Sequence, residues 1–136
     1  NRFARASSHA PGREPSFAFD HEIRTWWEAA TTDESPWIEV NLDRGWDLTA
    51  SRVCFADRGL DYGAGVVPGP YRYRIEGSHD GNSWTLLCDQ TTNEADRHIA
   101  YDSWSAQSAK VARLTIVGAP KGMRVGLWEW TLFAES

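Results

Sequence analysis

Tyr71-Arg72-Tyr73-Arg74-Ile75-Glu76 decides the fold class, together with the Asp80-Gly81-Asn82 and Ser83-Trp84 that follow it. Its aromatic and apolar residues alternate with charged ones, the period-two pattern of a strand with one buried and one wet face. Asp-Gly-Asn chemistry then predicts a tight turn that sends the chain back through Trp84. Working outward, Trp37-Ile38-Glu39-Val40-Asn41-Leu42 alternates in the same way, with Ile38, Val40 and Leu42 pointing in. Ala112-Arg113-Leu114-Thr115-Ile116 repeats the pattern, so strands are expected at 37–42, 50–56, 71–78, 83–88, 98–101, 111–117 and 125–133. No stretch of ten residues carries helical periodicity. Many short strands with turns between them predict an antiparallel sandwich or barrel.

The 136 residues suit one domain, large enough to fold around its own core without staples. Eight tryptophans are an unusual load for this size and imply a dense aromatic core, an aromatic binding surface, or both. The formal net charge of -5 disfavours nucleic acid and anionic membranes, which need a basic face. No apolar run approaches the roughly 18 residues of a membrane helix. The chain starts at Asn1, which reads as a mature fragment or a piece of a larger protein. Cys54 and Cys88 fit no zinc or redox spacing; they read as two buried thiols or as one disulfide. The long irregular stretch from Asp57 to Pro70 holds four glycines and two prolines, and such loops are more often functional than not.

Signals for catalysis are missing. The histidines at 9, 21, 79 and 98 form no ligand pair, and no His-Glu-x-x-His, Gly-x-Ser-x-Gly or phosphate loop occurs. A glycosidase needs two placed carboxylates, and none of the 19 acids stands in such a motif. The expectation is a binding module and not an enzyme.

Five segments in order give a family resemblance: Ala18-Phe19-Asp20-His21-Glu22-Ile23-Arg24-Thr25-Trp26-Trp27, Trp37 to Leu42, Tyr71 to Trp84, Ala112 to Ile116, and Trp128-Glu129-Trp130-Thr131-Leu132-Phe133. Over nearly its whole length the chain resembles the discoidin, or factor V/VIII type C, domains, and within them the family 32 carbohydrate-binding modules. Thr25-Trp26-Trp27 and Phe55-Ala56-Asp57 look most like modules attached to family 43 glycosidases. The resemblance implies an all-β, eight-stranded antiparallel jelly-roll β-sandwich occupying residues 1–136 as a single module. It would belong to a secreted or cell-surface bacterial protein, targeting an attached glycosidase catalytic domain to its carbohydrate. The alternative is a structural domain that packs on the catalytic domain and binds no sugar. His21 stands where the family has Gly, Glu22 where Asp or Asn is commoner, and the terminal cysteine pair of animal members is absent.

The resemblance also implies a structural calcium ion. Asp20 and Glu129 would give carboxylate oxygens, Thr25 its hydroxyl, and Phe17, Glu22 and Trp128 main-chain carbonyls. An all-oxygen set on a loop suits calcium. On spacing alone, Asp20 reads equally as a turn cap and Glu129 as an exposed strand residue. For the sugar, the family's binding end lies among loops, here the segment after Trp27 and the loop after Asp57. Arg58 offers a planar fork for vicinal hydroxyls or a carboxylate. Tyr62 is the stacking candidate, Asp57 and Asp61 are possible acceptors, and Glu28 stands where some galactose binders carry His. Trp27 is expected in the core. Trp104, between two serines, is expected to pack its own loop or to mark a second patch.

Overall fold

The computed structural model describes residues 4–20, 22, 24–97 and 99–135, and their regular secondary structure is strand apart from two short 3-10 turns. The expectations resting on His21 and on His98, the first residue of the 98–101 strand, lie outside the described residues. Seven strands follow one another: β1 (Ala4–Ala6), β2 (Trp27–Glu28), β3 (Trp37–Phe55), β4 (Arg72–Ser78), β5 (Thr85–Gln90), β6 (Ile99–Gly118) and β7 (Gly126–Ala134). Every pairing is antiparallel, in the order β2-β7-β3-β6-β4-β5, with β1 also on β3.

Two of the expected pairs of short strands are each one long bent strand. The segments 37–42 and 50–56 are the two halves of β3; 98–101 and 111–117 belong to β6. The bend in β3 falls where its register with β6 slips between Asn41 and Trp46, at Asp43, whose φ of 73° lies in the left-handed region. The polar run Ser103 to Ser108 hides the middle of β6 from a hydrophobicity reading. Its backbone nevertheless pairs with Asp47, Leu48 and Ala50 and holds the strand through the bend. The first half of β3 and the last half of β6 thus join β1, β4 and β5 in one layer, while their other halves join β7 and β2 in a second. The strand pieces at Ala4–Ala6 and Trp27–Glu28 carry no sequence signal, being two or three residues long.

The core lies between these layers. Phe55 of the second layer stacks on Tyr71 beside β4, with centroids 4.0 Å apart and planes 2° apart, and tilts against Tyr73 of β4 at 5.7 Å. Trp27, Ile38, Val53, Ile75, Leu114 and Leu127 are fully buried around them, and such burial is the main stabilising term. The polar ends of core aromatics are satisfied. Trp27 Nε1 donates to the Ser8 carbonyl at 3.0 Å, Trp130 Nε1 to Ser51 Oγ at 2.9 Å, and Trp104 Nε1 to the Leu48 carbonyl at 3.0 Å. Trp104 therefore packs against the core and is no second patch. Tyr73 donates to the buried Asp102, which also accepts from Gln90 at 2.9 Å and Arg97 at 3.4 Å. Burial, and then the Asp102 bond, push the Tyr73 hydroxyl up.

Both cysteines are free and half-buried. Burial and the nearby Asp102 push the Cys88 thiol up to about 12; burial and then Glu129 raise Cys54. Neither is a poised nucleophile.

On the outer face of the first layer, Glu39 is buried against Arg5 (2.8 Å) and Arg113 (2.6 Å to Nε). The Arg113 guanidinium lies 4.3 Å from the Trp37 ring and 4.6 Å from the Trp84 ring. The Asp-Gly-x-x-Trp turn thus ends in a cation–π contact, not in the core. Ser78 and Asp80 shape that turn by accepting the amides of Gly81, Asn82 and Ser83 at 2.8–2.9 Å, and Gly81 takes φ 78°.

Candidate functional site

One end of the sandwich is woven from four chain segments by backbone bonds. Ala10 N donates to the Glu28 carbonyl (2.7 Å) and Glu28 N to the Arg13 carbonyl (3.3 Å). Ala29 N donates to the Val125 carbonyl (2.8 Å), Ala56 N to the Gly126 carbonyl (2.9 Å) and Arg124 N to the Arg58 carbonyl (2.8 Å). Residues 10–13, 27–29, 124–126 and 56–58 therefore lie side by side, which brings Arg13, Glu28, Arg124 and Arg58 to the same end. The 57–70 loop is docked by the close approach of Val66 to Gly122: a Cβ on Gly122 would come within 2.8 Å of Val66 Cγ2, and its φ of 80° suits glycine.

Trp26 is the hub. Trp27 is fully buried, whereas Trp26, which precedes β2, is only partly buried. The Arg13 guanidinium lies 3.5 Å and that of Arg58 4.5 Å from the Trp26 ring centroid, and Trp128 meets the ring edge-on at 4.9 Å. Glu28, almost wholly buried, accepts from Trp26 Nε1 at 3.2 Å through one oxygen and pairs with Arg124 at 3.5 Å through the other. Arg58 Nε is buried and finds no hydrogen-bond partner among the described residues. Beside this cluster lies a cavity of about 280 Å³ bordered by Ala29, Ala30, Thr31, Asp33, Met123 and Arg124.

The expected ligand residues divide. Glu28 and Arg58 meet in the cluster. Tyr62 is 71% exposed on the loop, flanked by the exposed Leu60 and Val67. Asp61 caps the short turn Tyr62–Ala64 by accepting the Ala64 amide at 3.2 Å. Asp57, in the left-handed region at φ 45°, accepts the Tyr71 hydroxyl at 2.5 Å. Sequence reading missed Arg13 and Arg124, which come to the site only through long-range register. Trp26 was missed as well, although the expectation that Trp27 enters the core left its neighbour as a candidate for the surface.

The expected calcium ligands lie on a loop held at both ends to β7. Phe19 packs on Trp130 with centroids 5.9 Å apart, and Trp26 on Trp128, so the segment between them is stapled to either side of Glu129. Within it, Asp20 Oδ2 accepts the Thr25 hydroxyl at 2.5 Å, Asp20 Oδ1 accepts the Glu22 amide at 3.0 Å, and the Glu22 carbonyl accepts the Thr25 hydroxyl at 3.2 Å. Three oxygen donors thus cluster where the chemistry calls for them, and they fit a hard cation. Phe17 belongs to the 3-10 turn Pro15–Ala18 that leads into this loop. Glu129 accepts from Thr131 Oγ1 at 2.7 Å and from Arg52 at 3.2 Å. Trp128 has no counterpart on β3, because Cys54 pairs with Glu129 and Phe55 with Leu127. This bulge lets Leu127 and Trp130 both point inward. Among the described residues, no three His, Cys, Asp or Glu side chains converge as a metal site.

The F5/8 type C domain profile matches residues 3–135. No curated protein sequence matches the chain. Among solved structures, it is similar to chitosan-binding module 1 of a chitosanase/glucanase from Paenibacillus sp. IK-5, at 25% identity and TM-score 0.78, covering 96% of this chain and 93% of that one. Module 2 of the same enzyme, in complex with chitotriose, shares the fold at 23% identity and TM-score 0.79, covering 96% and 95%. A family 89 glycoside hydrolase from Clostridium perfringens contains the fold in 14% of its length, at 22% identity and TM-score 0.77, covering 98% of this chain.

Proposed function

We propose that the chain, which belongs to the F5/8 type C domain family, binds carbohydrate at the loop end of its sandwich and so holds an attached glycosidase on its glycan. Family and fold make it a binding domain and not a catalytic one. The reading rests on one observation above all. Arg58, Glu28, Arg124 and Trp26 assemble there from three separate segments, and the buried Arg58 Nε has no hydrogen-bond partner among the described residues. An unpaired buried donor costs about 1–3 kcal/mol, and a ligand oxygen would recover it. Tyr62 adds an aromatic face that a sugar ring can cover. The neighbours' carbohydrate-binding names support the ligand class, and the Clostridium enzyme, where the fold is part of a glycoside hydrolase, supports the attachment. Such an arrangement places the protein outside the cell or on its surface; no described helix is long and apolar enough to cross a membrane.

We further propose a structural calcium ion held by Asp20, Thr25, the carbonyls of Phe17, Glu22 and Trp128, and Glu129. The oxygen cluster of Asp20, Glu22 and Thr25 supports it. When bound, calcium would clip the 20–25 loop to β7 without taking part in chemistry. Asp20 and Thr25 hold the loop's shape, and Phe19 and Trp26 seat it beside Glu129.

A second reading has its own support. Leu60 and Val67 expose apolar surface beside Tyr62, which suits a loop packed on an attached domain. A glycan array on this chain separates the two. Wild type is expected to bind at least one glycan, weakly, with Kd on the order of mM. The double variant Arg58→Ala, Tyr62→Ala should lose roughly tenfold or more. Equal signals from wild type and variant on every glycan would leave the packing role.

A further inference from the structure

The loop end gathers three arginines, and two of them, Arg13 and Arg58, form no ion pair among the described residues. The guanidinium carbons of Arg13 and Arg58 lie 3.5 and 4.5 Å from one ring centroid, so they are no further from each other than those two distances together. Among the described residues, no carboxylate pairs with either. Glu28 is the one acid inside the cluster, and its two oxygens are taken by Arg124 and Trp26. The nearby acids are engaged elsewhere. Asp33 holds Ser7 (2.5 Å), Ser8 (2.6 Å) and the Ser35 amide (3.3 Å); Asp57 holds Tyr71; Asp61 caps its turn. Those hydrogen bonds outweigh burial and keep Asp33 below the usual carboxylate range. It is an anion committed to serines and not to the cluster. The π-system of Trp26 is itself occupied by cations, which removes the aromatic platform a neutral sugar would use there.

We propose that the ligand is a polyanionic glycan, one whose sugars carry carboxylate or sulfate groups; this rests on the carbohydrate reading above. An anionic group bound at Arg58 offsets the positive charge that it shares with Arg13 around Trp26 and offers an acceptor to the Arg58 guanidinium. A guanidinium fork meets two oxygens of either group at once. Arg124, half balanced by Glu28, borders the adjacent cavity and can take the next hydroxyl or charge along the chain. A cationic polymer such as chitosan would instead face three arginines.

Affinity electrophoresis of the 136-residue chain tests this, with polygalacturonate, dextran sulfate, neutral galactan and chitosan in the gel. Retardation is expected with polygalacturonate, dextran sulfate or both, the two arms separating carboxylate from sulfate. Arg58→Ala is expected to weaken it roughly tenfold or more, Arg58→Lys less, and Arg13→Gln about fivefold. Salt raised from about 0.05 to 0.5 M should weaken it further by screening. Arg44→Gln removes the same charge at the β3 bend, where Arg44 stacks on Trp46, and should leave binding within about twofold. Circular dichroism checks that each variant folds, and Arg13→Gln keeps the test intact if Arg58→Ala does not. Retention by galactan or chitosan alone, unmoved by salt and by Arg13→Gln, overturns the polyanion while leaving the carbohydrate reading standing. No retention by any of the four polymers overturns both.

Discussion

Gly126 sets the position of the acid at the centre of the site. It pairs with Glu28, and a Cβ built there would stand 2.4 Å from the Trp27 carbonyl and 3.2 Å from Glu28 Cα. Both neighbours are backbone, so no side-chain rotation relieves the clash. β2 has only two residues, both paired to β7, and displacing it would move Trp27 in the core and Glu28 against Arg124. Gly126→Ala is therefore expected to destabilise the fold by about 1–3 kcal/mol. The midpoint of urea unfolding measures it, and an unchanged midpoint would show that β2 is not held this tightly. Arg58 stands at the opposite pole of tolerance. Its backbone carbonyl is used by Arg124, but its side chain supports nothing in the core, and its buried Nε is a cost that folding alone does not repay.

At the scale of elements, period-two patterning located the first half of β3, β4 and the last half of β6, because Ile38, Val40, Tyr73, Ile75, Leu114 and Ile116 alternate with polar residues in the sequence, although Glu39 and Thr115 among those are themselves buried. It failed in the middle of β6. There the strand bends between layers and is held by ladder bonds to β3, and Ser103 to Ser108 need no apolar face to make them. The site divided in the same way. Glu28 and Arg58 sit next to motif residues and were legible. Arg13 and Arg124 reach Trp26 only because 10–13, 27–29 and 124–126 lie side by side, a long-range register that no local pattern encodes. The loop between Phe19 and Trp26 is the element with the most to gain from an ion. Its ends are stapled to β7 by ring contacts, while Asp20, Glu22 and Thr25 hold each other in between through exposed bonds. Calcium at about 100 times its Kd would add about 2.7 kcal/mol, which for this size raises Tm by roughly 5–10 °C. Scanning calorimetry with calcium and with chelator should show that difference in wild type and not in Asp20→Ala. Superimposed wild-type melting curves would remove the ion from the account.

For the whole molecule, two layers that share β3 and β6 make a rigid body, and its two ends differ. At the bend end, Arg44 covers Trp46 beside polar strand residues. At the loop end, four backbone segments carry Arg13, Arg58 and Arg124 with the carboxylates Glu28 and Asp57, and the exposed Tyr62 follows on the adjoining loop. The proposed site gives one end to a ligand and leaves the sheet faces to structure, where Glu39 pairs with Arg5 and Arg113. The sheet face also shows Tyr101 and Phe133, in ring contact at 6.1 Å, and a ligand there would contradict the assignment. The eight indole N–H groups report on both places at once. A ¹⁵N–¹H correlation spectrum, recorded while a glycan retained in the electrophoresis is titrated in, should shift the Trp26 and Trp128 indoles and the Arg58 and Arg124 amides most, and leave Trp46 and Trp104 still. Shifts centred on Tyr101 and Phe133, with Trp26 unmoved, would contradict it.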